Sequence, residues 1–182
     1  MNKILVVYYS NAGNNRYLAN KMAKRLSADI EELKPKLNIF PILVLSSLMK
    51  LSLGIKPLQN NVSEYEKIVL CGPVWMGQLV APLRDFIGKY NKVIKSLYFV
   101  TCCGSTDKLK DDKFGYGNVF RLVKKKMGDK YLGCEALSIS LVVPDEIKEN
   151  SEEMMKVRLS DENFKGEIKE KFDTFVKKIN EK

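Results

Sequence analysis

Histidine is missing from this sequence: none of its 182 residues is a His. Without an imidazole, the Ser-His-Asp and Cys-His arrangements of nucleophilic catalysis are excluded, and so is any zinc site that contains His. The protein therefore lacks the commonest general base and metal ligand. Tryptophan is nearly missing as well, since the chain has a single one, Trp75.

Cysteines are few and show no metal-binding pattern. The four are Cys71, Cys102, Cys103 and Cys134, and their spacing fits neither a C-x-x-C pair nor a zinc ribbon. A folded domain of this size needs no disulfide bonds, so we expect free thiols in a reducing cytoplasm. For Cys102 and Cys103 two interpretations stay open, small buried residues or a vicinal redox pair.

Long hydrophobic runs are also missing. The most apolar stretch, residues 39–53, is shorter than the roughly 20 residues of a membrane-spanning helix and contains Pro41 and Lys50. The short apolar run near the N-terminus meets polar residues without a cleavage-like site, which indicates a strand and not a signal peptide. We therefore expect a cytoplasmic protein without a transmembrane segment.

Acidic residues are outnumbered by basic ones. The sequence has 31 Lys and Arg against 22 Asp and Glu, a net charge of +9. Such a charge favours partners with an acidic surface, although a solvated lysine surface without a partner is the alternative. Nucleic-acid binding is not expected, because no recognition motif, aromatic ladder or Arg cluster accompanies the lysines.

The hydrophobic pattern alternates between strands and helices. A continuous apolar run predicts a strand at residues 4–9, and further strands are predicted at 67–71 (KIVLC) and 96–101 (SLYFVT), with a weak strand at 29–33 and a fifth within 131–143. Segments with apolar residues at helical spacing follow these strands. This alternation predicts an α/β fold with a parallel sheet and right-handed crossovers.

The alternation of strands and helices does not account for residues 38–61. We predict that these residues form an insertion in a single domain, residues 1–182. The insertion has more large apolar residues than one helix face can hide. These residues are Ile39, Leu43, Leu45, Leu48, Met49, Leu51 and Leu53. They have three interpretations: packing on the sheet edge or against a ligand site, a homodimer contact, or association with a membrane surface.

Three loops follow strands 1, 3 and 4, and ligands of open parallel sheets bind beyond such strand ends. The loop at residues 10–15 (SNAGNN) opens a helix and has no acidic residue, so its N–H groups suit a phosphate. The loop at 72–78 (GPVWMGQ) carries Trp75, whose flat ring suits stacking on a planar ligand. The loop at 101–107 (TCCGSTD) offers main-chain donors to the edge of a heterocycle. A mononucleotide with a large planar ring satisfies all three loops.

Simpler interpretations of these loops stay open. Residues 10–15 also fit a Gly turn with Asn capping, and Trp75 also fits a ring that covers its own helix. Neither G-x-x-x-x-G-K nor G-x-G-x-x-G occurs, so a P-loop nucleotidase and a dinucleotide-binding protein are not expected.

Two segments resemble motifs of the flavodoxin family. Residues 4–19 (ILVVYYSNAGNNRYLA) are similar to the family's strand, S-x-T-G-N-T loop and helix. Residues 72–87 (GPVWMGQLVAPLRDFI) are similar to G-x-P-x-W-x-G-x-x-x-P-x-x-x-F, with one residue between Gly72 and Val74. Residues 98–105 (YFVTCCGS) resemble the strand and loop beside the isoalloxazine. The resemblance implies a flavodoxin-like fold, a doubly wound five-stranded parallel sheet of order 2-1-3-4-5 with helices on both faces.

The resemblance also implies FMN as the cofactor and suggests its contacts. The phosphate would be held by Ser10, Asn11, Ala12, Gly13, Asn14 and Asn15. The ring would be flanked by Pro73, Val74, Trp75, Met76 and Gly77. Its other edge would meet Thr101, Cys102, Cys103 and Gly104. Ala12 and Asn15 stand where the family has Thr; Ala12 loses a hydroxyl donor, whereas the Asn15 amide still has N–H donors.

The implied function is that of an FMN-binding redox protein, either an electron carrier or a small NAD(P)H oxidoreductase. A flavin carries the redox chemistry itself, so the missing His is no obstacle. Typical shuttle flavodoxins are acidic, whereas this chain at +9 favours an acidic redox partner or a phosphorylated nicotinamide. The alternative function is a binding or regulatory module of this fold that has lost the flavin.

Overall fold

A five-stranded sheet forms the centre of the protein in a computed structural model that describes residues 3–147 and 150–181. The strands are β1 (Ile4–Tyr8), β2 (Asp29–Glu32), β3 (Lys67–Cys71), a short hairpin of β4 (Val74–Trp75) and β5 (Gln78–Leu79), β6 (Leu97–Cys103) and β7 (Tyr131–Ser138). The sheet has the order β2-β1-β3-β6-β7, and every neighbouring pair in it is parallel. Counted along the sheet strands alone, this is the expected order 2-1-3-4-5.

Helices cover both faces of the sheet, as predicted. They are α1 (Asn14–Leu26), α2 (Phe40–Leu48), α3 (Ala81–Tyr90), α4 (Gly117–Met127), α5 (Ser151–Lys156) and α6 (Glu167–Glu181). Alternate strand residues point to opposite faces. Val6 and Val69 therefore share a core with α1 and α6, whereas Leu5 and Ile68 share one with α3 and α4. Because both faces are covered, β1, β3 and β6 are buried along their whole length.

The segment between β3 and α3 differs from the expected loop and helix. Val74 pairs with Leu79 and Trp75 with Gln78 in an antiparallel hairpin, so α3 begins only at Ala81. Met76 and Gly77 both have positive φ, at 50° and 70°, as a type I′ turn requires. The Met-Gly pair lacks the Asn-Gly signature of such turns, which is why the sequence did not indicate it.

The insertion is fixed to the rest of the fold at several points. Leu43 of α2 is fully buried in the core that also contains α3. The Asp85 carboxylate accepts the main-chain N–H groups of Leu53 and Gly54 at 3.0 and 2.8 Å. The Glu31 carboxylate likewise accepts two N–H groups near the end of the insertion. The insertion therefore packs on the domain and is not a loose loop.

Within the part of the chain that the structure describes, no helix is long and apolar enough to cross a membrane.

Asp85→Ala is expected to lower the free energy of unfolding by about 1–3 kcal/mol, because two main-chain N–H groups lose a charged acceptor. Urea denaturation measures this change. Asp85→Asn keeps an acceptor oxygen and should lose less, and Glu162→Ala, at an exposed carboxylate, serves as the control with a change within about 0.5 kcal/mol. Equal stability of Asp85→Ala and wild type would show that this carboxylate does not anchor the insertion.

Candidate functional site

The loops at the carboxyl ends of the sheet strands enclose one cleft of about 340 Å³, a volume within the range of small-molecule sites. All three loops singled out in the sequence contribute to it. The lining residues are Ser10, Asn11, Ala12, Asn14, Asn15, Phe40, Val44, Pro73, Val74, Trp75, Met76, Cys102, Cys103, Gly104, Ile139, Met154 and Arg158. Among the residues that the structure describes, no Asp or Glu lines the cleft, which favours an anionic group over a cation.

The N-terminus of α1 opens beside this cleft. Gly13 occupies the N-cap in a left-handed conformation, with φ of 96°, and no side chain caps the helix. A Cβ at Gly13 would have no atom within 4 Å, so the space in front of it is open. The N–H groups of the first helical turn have no intrahelical acceptors and carry the positive end of the helix dipole. Such a terminus suits a phosphate.

Two arginines lie near the same helix terminus. Arg16, on the first turn of α1, and Arg158 line a surface pocket that also contains Gly13. Arg158 also lines the main cleft. Both guanidinium groups add positive potential to the region where the N–H groups of α1 point.

The Asn14 and Asn15 amides are engaged differently from the expectation that they serve as phosphate donors. The Asn14 amide donates to the Val157 carbonyl at 3.3 Å and accepts the Leu159 N–H at 2.9 Å. The Asn15 amide accepts the Cys102 N–H at 2.8 Å and donates to the Cys102 carbonyl at 3.0 Å. Asn15 is buried, and its side chain thus joins the start of α1 to the end of β6.

Trp75 lies in the cleft wall within a cluster of aromatic rings. Its ring centroid is 6.1 Å from that of Tyr9 and 5.5 Å from that of Phe40, both in edge-to-face geometry. Phe40 belongs to the insertion, so the insertion contributes to the same wall as the hairpin. These contacts fix the indole at the mouth of the cleft.

Cys102 and Cys103 follow one another in β6 and therefore point to opposite faces of the sheet. Cys102 packs in the core beneath α1, whereas Cys103 packs with Tyr116 and Ala136 on the other side. The vicinal redox pair left open by the sequence is therefore wrong, because the two sulfurs cannot meet across the sheet. Burial raises the pKa of the Cys103 thiol to about 12 and raises the pKa of Cys102 as well.

Three predicted residues do not line the cleft. Gly13 lies beside it, in the neighbouring surface pocket. Thr101 is completely buried within β6. Gly77 forms the hairpin turn, where a Cβ would come within 2.4 Å of the Lys113 carbonyl oxygen.

Five lining residues were not predicted. They are Phe40, Val44, Ile139, Met154 and Arg158. Ile139 follows the last sheet strand, so the rule that ligands bind at strand ends could have found it. Phe40 and Val44 belong to the insertion, for which a ligand-site role was one of three interpretations. No sequence signal indicates Met154 or Arg158.

Comparison with known proteins gives likenesses in structure only. No family model and no curated protein matches the sequence. A putative flavoprotein from Bacteroides eggerthii DSM 20697 superposes with a TM-score of 0.62 at 20% identity, covering 74% of this chain and 87% of that one. The chain has a flavodoxin-like fold.

Two further solved structures agree with this flavodoxin-like fold. A flavoprotein from Lactobacillus acidophilus NCFM in complex with FMN gives a TM-score of 0.61 at 15% identity, covering 75% of this chain and 93% of that one. A short-chain flavodoxin associated with a non-canonical PDU bacterial microcompartment gives 0.53 at 14% identity, covering 100% and 98%. Identities this low establish the fold and leave the ligand to be argued from the site.

Asn15→Ala is expected to lower the free energy of unfolding by about 2–4 kcal/mol, since the buried N–H and C=O of Cys102 each lose their partner at about 1–3 kcal/mol. Chemical denaturation measures the loss. Asn20→Ala, at an exposed Asn of the same helix, is the control and should change stability by less than about 0.5 kcal/mol. Equal effects of the two substitutions would contradict the bridging role of Asn15.

Alkylation of Cys103 by iodoacetamide is expected to be at least about tenfold slower in the native protein than in urea at neutral pH, because burial raises the pKa of this thiol. The raised pKa of about 12, against an ordinary 9.0, favours the protonated thiol, and only the thiolate reacts. Site-resolved mass spectrometry measures both rates, and the native rate should rise as the pH approaches 12. Similar rates in native and unfolded protein would mean that Cys103 is accessible and ionised.

Proposed function

We propose that this protein binds FMN in the cleft and uses it to transfer electrons, as a carrier or as a small flavin-dependent oxidoreductase. One observation carries the proposal: the uncapped N-terminus of α1 and the indole of Trp75 face one cleft at the strand ends of a flavodoxin-like fold. The flavoprotein from Lactobacillus acidophilus NCFM, which has a similar fold, was solved in complex with FMN.

The phosphate of FMN fits the terminus of α1. The main-chain N–H groups of Ala12, Asn14 and Asn15 would hold its oxygens, and the open space at Gly13 leaves room for them. The Ser10 hydroxyl accepts the Gly13 N–H at 3.1 Å, so it fixes the loop while its own proton can be donated. The described residues that line the cleft include no carboxylate that would repel the phosphate charge.

The flavin ring fits between the two walls of the cleft. Trp75 and Met76 would cover one side, and the loop after β6, with Cys102 and Gly104, would meet the other. Bound FMN supplies the redox chemistry. The apolar side chains of the walls exclude water and disfavour negative charge on an enclosed ring. We assign no catalytic side chain, since the part of this chain is to bind, orient and shield.

A second candidate function has a specific observation in its favour. Ala12 offers no hydroxyl, and the Asn14 and Asn15 amides are hydrogen-bonded to the protein main chain. Phosphate binding would therefore depend on main-chain N–H groups and Ser10. If the main-chain N–H groups and Ser10 do not suffice to bind the phosphate, the protein is a binding or regulatory module that has lost the flavin.

The net charge of the protein favours some redox partners and electron donors over others. A net charge of +9 favours a redox partner with an acidic surface over a basic one, and it also favours a phosphorylated nicotinamide as electron donor. Both remain proposals, as do the cytoplasmic location and a homodimer.

FMN titrated into the protein is expected to lose fluorescence as it binds, and Trp75→Ala is expected to weaken binding by about 1–3 kcal/mol, roughly tenfold to a hundredfold in Kd. Trp75→Phe keeps a ring and should lose less. Phe114→Ala removes an aromatic residue that is 60% exposed and is not among the residues that line the cleft, so it serves as the matched control with unchanged Kd.

Two results of this titration contradict the proposal in different ways. A protein that binds no FMN at all is the second candidate, the module without flavin. A protein that binds FMN with the same Kd in wild type and Trp75→Ala binds the cofactor without the indole, and the assignment of the ring site is then wrong.

A further inference from the structure

We propose that the exposed apolar face of α2, together with the lysines at its end, binds the surface of an anionic lipid bilayer. The apolar patch consists of Ile39, Ile42, Leu45, Leu48, Met49 and Leu51, all in or next to α2. This inference does not depend on the cofactor, because none of these six side chains lines the cleft.

The patch concentrates the apolar surface of the protein in one segment. Among the residues that the structure describes, 13 large hydrophobic side chains are exposed, and eight of them lie between positions 37 and 51. Leu45 is 56% exposed, Met49 59% and Leu51 52%. Single exposed hydrophobic residues are normal in soluble proteins, whereas a contiguous group indicates an interaction site.

The other side of α2 is firmly attached, so the exposure is a fixed feature of the fold. Leu43, Ser46 and Ser47 are buried. The Ser47 hydroxyl accepts the Ala81 N–H at 2.9 Å, which links α2 to the start of α3. Arg84 donates to the Ser46 carbonyl at 3.1 Å and to the Leu51 carbonyl, which fixes the end of α2. The exposed residues of α2 are all apolar, which is the reverse of a typical surface helix and favours a second apolar contact.

The charged residues of the segment that carries the patch are all basic. Residues 33–63 contain four lysines and no Asp or Glu. Lys36 and Lys50 share a surface depression with Lys89 and Lys126. Asp85 also lines this depression, the one carboxylate among its described lining residues, and its oxygen accepts the N–H groups of Leu53 and Gly54. An apolar patch next to lysines is complementary to a membrane surface, in which anionic head groups lie above apolar acyl chains.

A bilayer fits better than the other possible occupants. A second copy of this chain, docked through the same patch, would bring Lys50 and Lys36 of both copies together and repel itself. Protein interfaces rely on Trp, Tyr and Arg as their strongest contacts, and the patch has none of these. Anionic lipids satisfy both features, because acyl chains accept aliphatic side chains and phosphate head groups accept lysines.

Vesicle flotation tests the proposal with the full-length protein. We expect it to float with vesicles of equimolar phosphatidylcholine and phosphatidylglycerol and not with phosphatidylcholine alone. The double variant Leu45→Ser with Met49→Ser should bind at least about tenfold more weakly, and so should Lys36→Glu with Lys50→Glu. Circular dichroism confirms that each variant is folded.

Matched controls separate the patch from general surface effects. Leu109→Ser removes an exposed apolar side chain (51% exposed) outside the patch and should bind like wild type. Lys24→Glu with Lys165→Glu changes the net charge by the same amount on the side of α1 and α6, and should change binding less than about threefold.

Three outcomes would overturn the proposal. The first is the absence of binding to anionic vesicles. The second is binding to neutral vesicles that equals binding to anionic ones, or a loss of binding in the Lys24, Lys165 variant that equals the loss in the Lys36, Lys50 variant. Either result would show that the lysines next to the patch do not recognise the anionic lipids. The third is a dimer in light scattering that the Leu45→Ser, Met49→Ser variant abolishes while vesicles bind neither protein, which would assign the patch to a second copy of the chain.

Discussion

Parallel pairing of all five sheet strands is the constraint on which the rest of this structure depends. Parallel strands end at the same edge of a sheet, so the loops after β1, β3, β6 and β7 must share one rim. β1, β3 and β6 are buried along their whole length, so a ligand cannot reach them from either face of the sheet. The loops that carry Ser10, Asn11 and Trp75 therefore meet at this rim, where the cleft lies.

The cleft is held together by side-chain hydrogen bonds to the main chain of distant segments. Asn15 joins the start of α1 to the end of β6, and Asn14 joins the same helix to residues 157–159. Asn14 and Asn15, which the sequence suggested as phosphate ligands, thus mainly connect α1 to other segments of the chain. The N–H groups of the first turn of α1 have no intrahelical acceptors, so in the proposed site rigidity and anion binding depend on different atoms of the same loop.

The insertion has two distinct surfaces. Through Phe40 and Val44 it forms part of the cleft wall beside Trp75, and through Leu43 it joins the core. Its remaining aliphatic side chains face outward next to lysines. A segment that exceeds the minimal fold therefore accounts both for part of the candidate site and for the most unusual feature of the surface.

The structural features that could be predicted from the sequence are those that depend on neighbouring residues along the chain. The predicted strand at residues 67–71 is β3 with the expected bounds, because a strand buried on both faces needs a mainly apolar sequence such as IVLC. The hairpin after it was missed, since Met76 and Gly77 lack the usual turn signature. Arg158 and the partners of Asn14 could not be predicted, because they depend on contacts more than 140 residues apart that no local pattern encodes.

A crystal structure of the protein soaked with FMN tests the central claim most directly, namely that one cleft receives the phosphate at α1 and the ring at Trp75. We expect the phosphate oxygens within hydrogen-bond distance of the main-chain N–H groups around Gly13, and the isoalloxazine against the indole. Solvent alone in the cleft at saturating FMN, or FMN bound elsewhere on the protein, would contradict this account.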